Sequence, residues 1–420
     1  MKVVWHCTDP IGPEMAGPGI RAVELARRLS GHEVTLCAPG ADRARGEPFA
    51  TSSEAGFCAA LRGADVLVTM GFGFPLPLAW WFRGRLVLDL YDPVLLEQLA
   101  QFGPGATSEQ RVSLAHVRAR LLALLRRADH VLCASPVQRA FWLGWLGAAG
   151  RLTPAALDGD PEARRLLAVV PFGLPDEPPL GAEHPLRSQL GLGASVPLAL
   201  FWGGMWDWMD PSLAVRAVAE LRRQGREVHL AFLAGSRPGG AAAPTGARAA
   251  RDAAVAAGVA DRVHFLERWI PYADRGAVLL DADLAVTAHR PSLEAELAFR
   301  TRLLDCLWAR LPVATTRGDA LASEAEREGW GAAAEPGDVA GLARAISDLL
   351  DPARRERARA AAAEAAARYR WSRSAATLLD LLQQPPPLRA RGFAPGETAG
   401  ASGLAFARAL GEKAWRLLRR

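Results

Sequence analysis

Short apolar runs alternate with helical stretches along this chain, and the alternation occurs in two blocks. The first block has runs at 3–6, 33–38, 65–70, 85–91, 130–134 and 168–172; the second has them at 197–202, 228–234, 263–266, 282–288 and 312–315. Runs this short, without polar alternation, predict strands covered on both faces, and therefore parallel sheets in doubly wound α/β domains. Between the blocks, Val169-Val170-Pro171-Phe172-Gly173-Leu174-Pro175 leads into a proline-rich stretch ending at Pro185, the composition of a stiff linker. The expected organisation is one domain over 1–178 and a second over 186–370, with 371–384 as a helix that returns to the first. A length of 420 residues, half of them hydrophobic, suits two cores better than one.

Charge separates the body from the tail. The net charge is +5, and after Gln384 seven basic residues face two acidic ones, so the remainder of the chain balances. No basic patch with a recognisable module accompanies it, which argues against nucleic acid as a partner. Cysteines at 7, 37, 58, 133 and 306 show neither CxxC nor metal-ligand spacing and read as reduced thiols. MKVVWHCTDP runs straight into a strand-like segment, and no run of about eighteen apolar residues occurs, so the expected location is the cytoplasm. Residues 385–401 form a Pro/Gly-rich linker to 402–420, where Leu404, Ala407, Leu410, Ala414 and Leu417 recur at helical intervals among arginines. Such a helix can lie on the inner face of an anionic membrane as a peripheral contact, or pack on the first domain.

Four loops carry candidate chemistry. Gly17-Pro18-Gly19 precedes an amphipathic helix and suits close approach of a phosphate or sugar, but GxGxxG spacing is absent, which weighs against a dehydrogenase. Arg21, at the start of that helix, either reaches this ligand or faces solvent. Asp89 and Asp92 stand just past a strand; Asp92 either caps the following helix, with Pro93 at its first position, or meets a substrate. Gly203-Gly204-Met205-Trp206-Asp207-Trp208 offers glycines for close approach and indoles that stack on a base or sugar, or pack between domains. Asp207 and Asp210 have the wrong spacing for a metal site. Finally, 289–319 turns at Pro291-Ser292, passes Glu294 and Glu296, and enters a helix that stops before Pro312. Phe299-Arg300-Thr301-Arg302 lies where free N–H groups and the positive dipole end meet phosphate. Thr301, Arg302 and Asp305 share one helix face and Leu304, Leu307 and Leu311 another; the plain alternative is a surface Arg302–Asp305 pair.

This last segment resembles the carboxylate motif of retaining nucleotide-sugar glycosyltransferases of the GT-B fold, glycosyltransferase family 4 in particular. That motif runs Pro-Ser, a Glu, a glycine-rich helix start and a second Glu seven residues on, closing with Ala-x-Gly-x-Pro-Val. The chain has Pro291-Ser292, Glu294 and Glu296, then Asp305, then Ala309-Arg310-Leu311-Pro312-Val313. Asp305 replaces the second Glu, Glu296 is one residue out of register for the first, 299–302 replaces the glycine-rich turn, and Arg310 replaces Gly. A Pro-Gly-Asp turn at 336–338 and the segment 129–138, with Ser135 and Gln138, are similar to the family as well.

The resemblance implies two Rossmann-like domains facing across a cleft, and transfer of a sugar from a nucleotide diphosphate to an acceptor hydroxyl in glycan, polysaccharide or glycoconjugate biosynthesis. It implies donor contacts from Gly17, Gly19, Gly203, Gly204, Trp206, Arg268, Phe299, Arg300, Thr301, Arg302 and Asp305, the last toward the ribose hydroxyls. It implies catalytic roles for Glu294, Glu296 and Asp92. The family's Arg and Lys in the loop at 203–211 are missing here, so Arg268, Arg290, Arg300 or Arg302 is expected to replace them. No metal and no cofactor beyond the donor substrate is expected. Two alternatives share the fold: a nucleotide-sugar 2-epimerase, which needs acids and a His not located in the sequence, and a non-catalytic nucleotide-sugar binder assisting a partner transferase.

Overall fold

The structure is a computed structural model that describes residues 1–386 apart from 104, 182, 183, 207, 234 and 236–244, with Thr245 described by its backbone. The expectations for Asp207, for most of the 385–401 linker and for the tail 402–420 therefore lie outside the described residues.

Seven strands form the first sheet: β1 Lys2–His6, β2 Glu33–Cys37, β3 Ala50–Ser52, β4 Val66–Thr69, β5 Arg85–Asp89, β6 His130–Cys133 and β7 Leu167–Val169. Six form the second: β8 Leu198–Phe201, β9 His229–Leu233, β10 Val263–Leu266, β11 Leu284–Thr287, β12 Val313–Thr316 and β13 Gly331–Ala334. The orders are β3-β2-β1-β4-β5-β6-β7 and β10-β9-β8-β11-β12-β13, and every pairing is parallel. Each sheet thus reverses its strand order once, between β1 and β4 and between β8 and β11. Those reversals are the topological switch points where loops at the carboxyl ends of the strands diverge and leave a crevice. Strands β4, β6, β8 and β11 bury every residue, as their unbroken apolar runs require, and helices cover both faces. β3 (ATS) and β13 (GAAA) were not foreseen: both are edge strands without an apolar β-branched run, so only their pairing marks them.

The chain crosses between the sheets twice at one place. Leu174 pairs with Arg370 in a parallel bridge, its N–H donating to Tyr369 O (2.7 Å) while Trp371 N–H donates back to Leu174 O (2.9 Å). Trp371 is fully buried and begins the helix Trp371–Gln383, which packs on the helix Gly17–Arg27 and on β7 of the first sheet. Gly173 is obligatory beneath it, since a Cβ there would stand 2.4 Å from the indole.

The expected single helix after Pro291 is two: Leu293–Leu297, capped by Ser292, and Thr301–Trp308, with Arg300 as its N-cap residue. The second ends in a Schellman turn, with Leu311 N–H donating to Cys306 O (2.8 Å) and Arg310 N–H to Leu307 O (3.0 Å). Arg310 holds φ = 52°, the left-handed region that favours glycine. The motif's glycine at this position therefore serves the turn rather than the ligand. Arg310→Gly is expected to raise stability by about 1 kcal/mol, seen as a rise in Tm of a few degrees; an unchanged or lowered Tm would contradict the strain reading.

Candidate active site between the two sheets

The loops at the carboxyl ends of the strands enclose a cavity of about 150 Å3 with walls from both domains. The first domain supplies Met15, Ala16, Gly17 and Ile20 from the loop and helix after β1, and Phe172-Gly173 from the crossing strand. The second supplies Trp202, Gly203, Gly204 and Trp206 after β8, Arg268 to Ile270 with Tyr272 after β10, Arg275, and Thr301, Arg302 and Asp305 on the helix Thr301–Trp308. Backbone joins the two walls directly, because Tyr272 N–H donates to Pro13 O at 2.9 Å.

Asp305 sits on this wall with both oxygens engaged. Oδ2 accepts from Trp202 Nε1 (3.0 Å) and Oδ1 from Arg275 Nε (3.1 Å). The carboxylate retains further lone pairs toward the cavity. Its partner is thus Arg275, not Arg302, and the surface pair of the plain reading does not form. Arg275 is buried, bonds the Tyr272 carbonyl, and stacks over the rings of Tyr272 (3.6 Å) and Trp308 (4.4 Å). Neither Arg275 nor Trp202 was identified from the sequence. Trp202 closes a recognised apolar run, but nothing in the spacing linked it to a carboxylate a hundred residues on.

Arg302 spends one nitrogen on the protein, with Nη1 donating to Trp202 O (2.9 Å) and Gly204 O (3.2 Å). Its guanidinium carbon lies 3.5 Å from the Cβ position of Gly203, whose φ of +84° also demands glycine. No carboxylate of the described residues pairs with it, and burial first, then Arg300, lower its pKa to about 10. Arg268 lines the same cavity, is exposed, and has no ion pair among the described residues. Arg290 is exposed and off the cavity wall.

Other candidates lie elsewhere. Arg300 does not line the cavity: it grips Glu294 through Nη1–Oε1 (3.1 Å) and Nη2–Oε2 (3.2 Å), with Nε 3.8 Å from Asp319, all three buried. Helix geometry explains this, since the N-cap side chain leaves the axis differently from those one and two positions on. Glu296 is exposed, and Phe299 packs near Tyr369 with ring centroids 6.1 Å apart. A Cβ on Gly19 would meet Pro10 O at 2.6 Å, so that glycine serves helix-to-loop packing. Arg21 takes neither expected role: buried, it forks onto Asp89 (2.7 and 2.9 Å) and bonds the carbonyls of Val170 and Pro171. Trp206 lines the cavity and stacks on Trp208 at 5.9 Å. Asp210 caps the helix Pro211–Arg223. Within this layer His289 is buried, neither ring nitrogen has a partner among the described residues, and burial, reinforced by Arg300 and Arg302, holds it neutral.

Asp92, in the loop after β5, caps nothing; the helix Val94–Phe102 starts from Pro93 without a side-chain cap. Burial pushes its carboxyl up to about 7, opposed by Tyr91 and Arg21 and reinforced by Asp89 and Asp9.

Residues 196–352 match the model of the family described as glycosyl transferases group 1. No curated protein matches the chain in sequence. In fold it is similar to sucrose-phosphate synthase from Thermosynechococcus elongatus, with a TM-score of 0.65, 19% identity, and coverage of 91% of this chain and 98% of that one. It is similar to HepE from Anabaena, in complex with UDP and glucose (TM-score 0.64, 16% identity, 92% and 100% covered). A third is WaaG, a glycosyltransferase involved in lipopolysaccharide biosynthesis (TM-score 0.63, 17% identity, 91% and 100%). Two parallel doubly wound domains with a cavity between their strand ends define a GT-B protein. The match to the group 1 glycosyl transferases covers the second domain, and the likeness of the whole chain to these structures is one of fold.

The raised pKa of Asp92 has a measurable sign. Between the ordinary aspartate value near 4 and about 7, the folded state keeps a proton that the unfolded state has lost, so stability falls across that window as pH rises. Asp92→Asn should remove that slope, its Tm advantage over the native protein widening from pH 4 to 7 and levelling above. Parallel melting curves across the window would place the Asp92 titration elsewhere.

Proposed function

We propose that the protein is a retaining glycosyltransferase that moves a sugar from a nucleoside diphosphate donor to an acceptor hydroxyl. One observation carries the reading: Arg302 lies on the cavity wall at a helix amino end with Nε and Nη2 uncommitted and no carboxylate within ion-pair distance among the described residues. A guanidinium left without a counter-ion at partial burial is costly alone and favourable once an anion arrives. Arg268 adds a second fork, and the N–H groups that open the helix Thr301–Trp308 add fixed donors, a set that matches a diphosphate whose negative charge grows as the sugar leaves. No group of three or more potential metal ligands occurs among the described residues. Charge neutralisation is assigned to these arginines on their position at the cavity wall.

Asp305, held by Trp202 and Arg275, is assigned to the donor's ribose hydroxyls, and Trp206 to stacking along the donor. Glu294 acts from behind the wall through Arg300, which fixes the turn leading into Thr301. Asp92, titrating near neutrality on the first domain's side, suits orienting or deprotonating the acceptor hydroxyl. Structures of HepE with UDP and with UDP-glucose support a uridine donor as the first to try. No helix among the described residues is long and apolar enough to cross a membrane. Work at the inner face of a membrane through the tail 402–420, on glycan or polysaccharide acceptors, belongs to the same proposal.

A thermal-shift screen of UDP, GDP and dTDP sugars should find one stabilising donor, and the anomeric configuration of the product should match that donor. Arg302→Ala should weaken donor binding about tenfold to a hundredfold by calorimetry with the fold intact, as expected for a charge-assisted bond of about 1.5–3 kcal/mol. Unchanged affinity would remove the diphosphate from this wall, and binding without turnover over an acceptor panel would favour the non-catalytic binder.

A further inference from the structure

One fully buried amide ties the loops that carry the candidate carboxylates of the two domains. Gln138 lies in the first turn of the helix Pro136–Ala148, which Ser135 caps by accepting from Gln138 N–H at 3.2 Å. Its side-chain Oε1 accepts from Ala134 N–H (2.8 Å), which fixes the orientation of the amide. Both hydrogens of Nε2 then point away from its own helix. One goes to Tyr91 O at 2.8 Å, the residue before Asp92, and the other crosses to the second domain and reaches Leu297 O at 3.0 Å. Leu297 ends the short helix that carries Glu294 and Glu296, and that helix packs on Val94–Phe102, the helix entered just after Asp92.

We infer that Gln138 is a positioning residue that sets the acceptor loop against the carboxylate helix when the domains are closed. The inference rests on the transferase reading for its catalytic consequence, but its structural content does not. The Ala134 and Tyr91 bonds lie within the first domain and survive opening, whereas the Leu297 bond exists only across the closed gap. Opening therefore leaves one buried-side donor of Gln138 without its partner, so the bond favours closure. A neutral hydrogen bond of ordinary net strength shifts such an equilibrium by roughly two- to tenfold. No other residue type fits all three side-chain bonds: Glu keeps the acceptor but loses both donors, and Met keeps the length but has no N–H.

The test uses the full chain with Gln138→Glu and Gln138→Met, each first shown to be folded by circular dichroism. Small-angle scattering, with and without UDP or the best donor of the thermal-shift screen, reads domain closure. Both variants should show a larger radius of gyration than the native protein, and turnover should fall roughly two- to tenfold through kcat, with donor Kd weakened by no more than that factor because Arg302 and Asp305 are untouched. Equal scattering and equal kcat would overturn the proposal, as would a loss of Tm alone, which is what a helix-cap defect gives. Failure of the transferase reading would show instead as no donor response in the native protein, while the scattering difference between native and variant persisted.

Discussion

The contact between Arg275 and Asp305 organises the wall of the second domain. Asp305 belongs to the helix after β11, Trp202 to the end of β8, and Arg275 to the helix Arg275–Leu280, so one carboxylate gathers three segments. A partly buried carboxylate is costly unless its oxygens are paired, and here each has one donor from protein. The stack of Arg275 between Tyr272 and Trp308 passes the constraint outward. Tyr272 N–H bonds Pro13 of the opposite domain, and Trp308 Nε1 bonds Glu177 O (2.7 Å) in the connector. The same guanidinium thus links the cavity wall, the far domain and the connector, and its rigidity comes from planar stacking rather than from net charge.

Legibility in the sequence followed the physical scale of each signal. Strands with unbroken apolar runs were readable because burial on both faces leaves no other composition, whereas β3 and β13 are held mainly by ladder bonds and leave little imprint. In the site, positions fixed by backbone need were readable: Gly203 adopts φ +84°, and the helix amino end at Thr301 follows from Pro312 and the apolar spacing. Arg300 and Arg302 were not separable, because a guanidinium reaches several ångströms and only the packing of Glu294 decides which one turns inward. Arg275 and Trp202 escaped as site residues, and Gln138 was named only within a family-like segment, without a role. Each matters through a partner distant in the chain, and a single sequence does not record that proximity.

The near-absence of lysine, found only at positions 2 and 413, shapes how the interior is wired. A guanidinium offers five donors in a plane, so one side chain can satisfy the carbonyl ends of several segments together with a carboxylate. Arg21 does this between Asp89, Val170 and Pro171; Arg187 does it between Asp281, Asp283 and the carbonyls of Gly193 and Val196. Arg302 follows the same architecture with one component missing, since its carbonyls are in place and its carboxylate is not. Arg120 and Arg139 are likewise held by carbonyls alone, so what distinguishes Arg302 is its place on the cavity wall, where the proposed anionic ligand would complete it.

Closure must be reversible if a ligand is to reach a cavity walled by both domains, and the distribution of bonds fits that need. The two direct polar ties described here, Tyr272 to Pro13 and Gln138 to Leu297, are neutral hydrogen bonds of about 1 kcal/mol net each, replaceable by water on opening. At the crossing point the contacts are of another kind: Trp371 lies fully buried against Gly173 and Phe172, with the Leu174–Arg370 bridge beside it. Burying an indole there stabilises by several times one hydrogen bond. The domains are therefore joined firmly at the hinge and loosely at the cleft, which directs thermal motion into opening of the cavity rather than into separation of the fold.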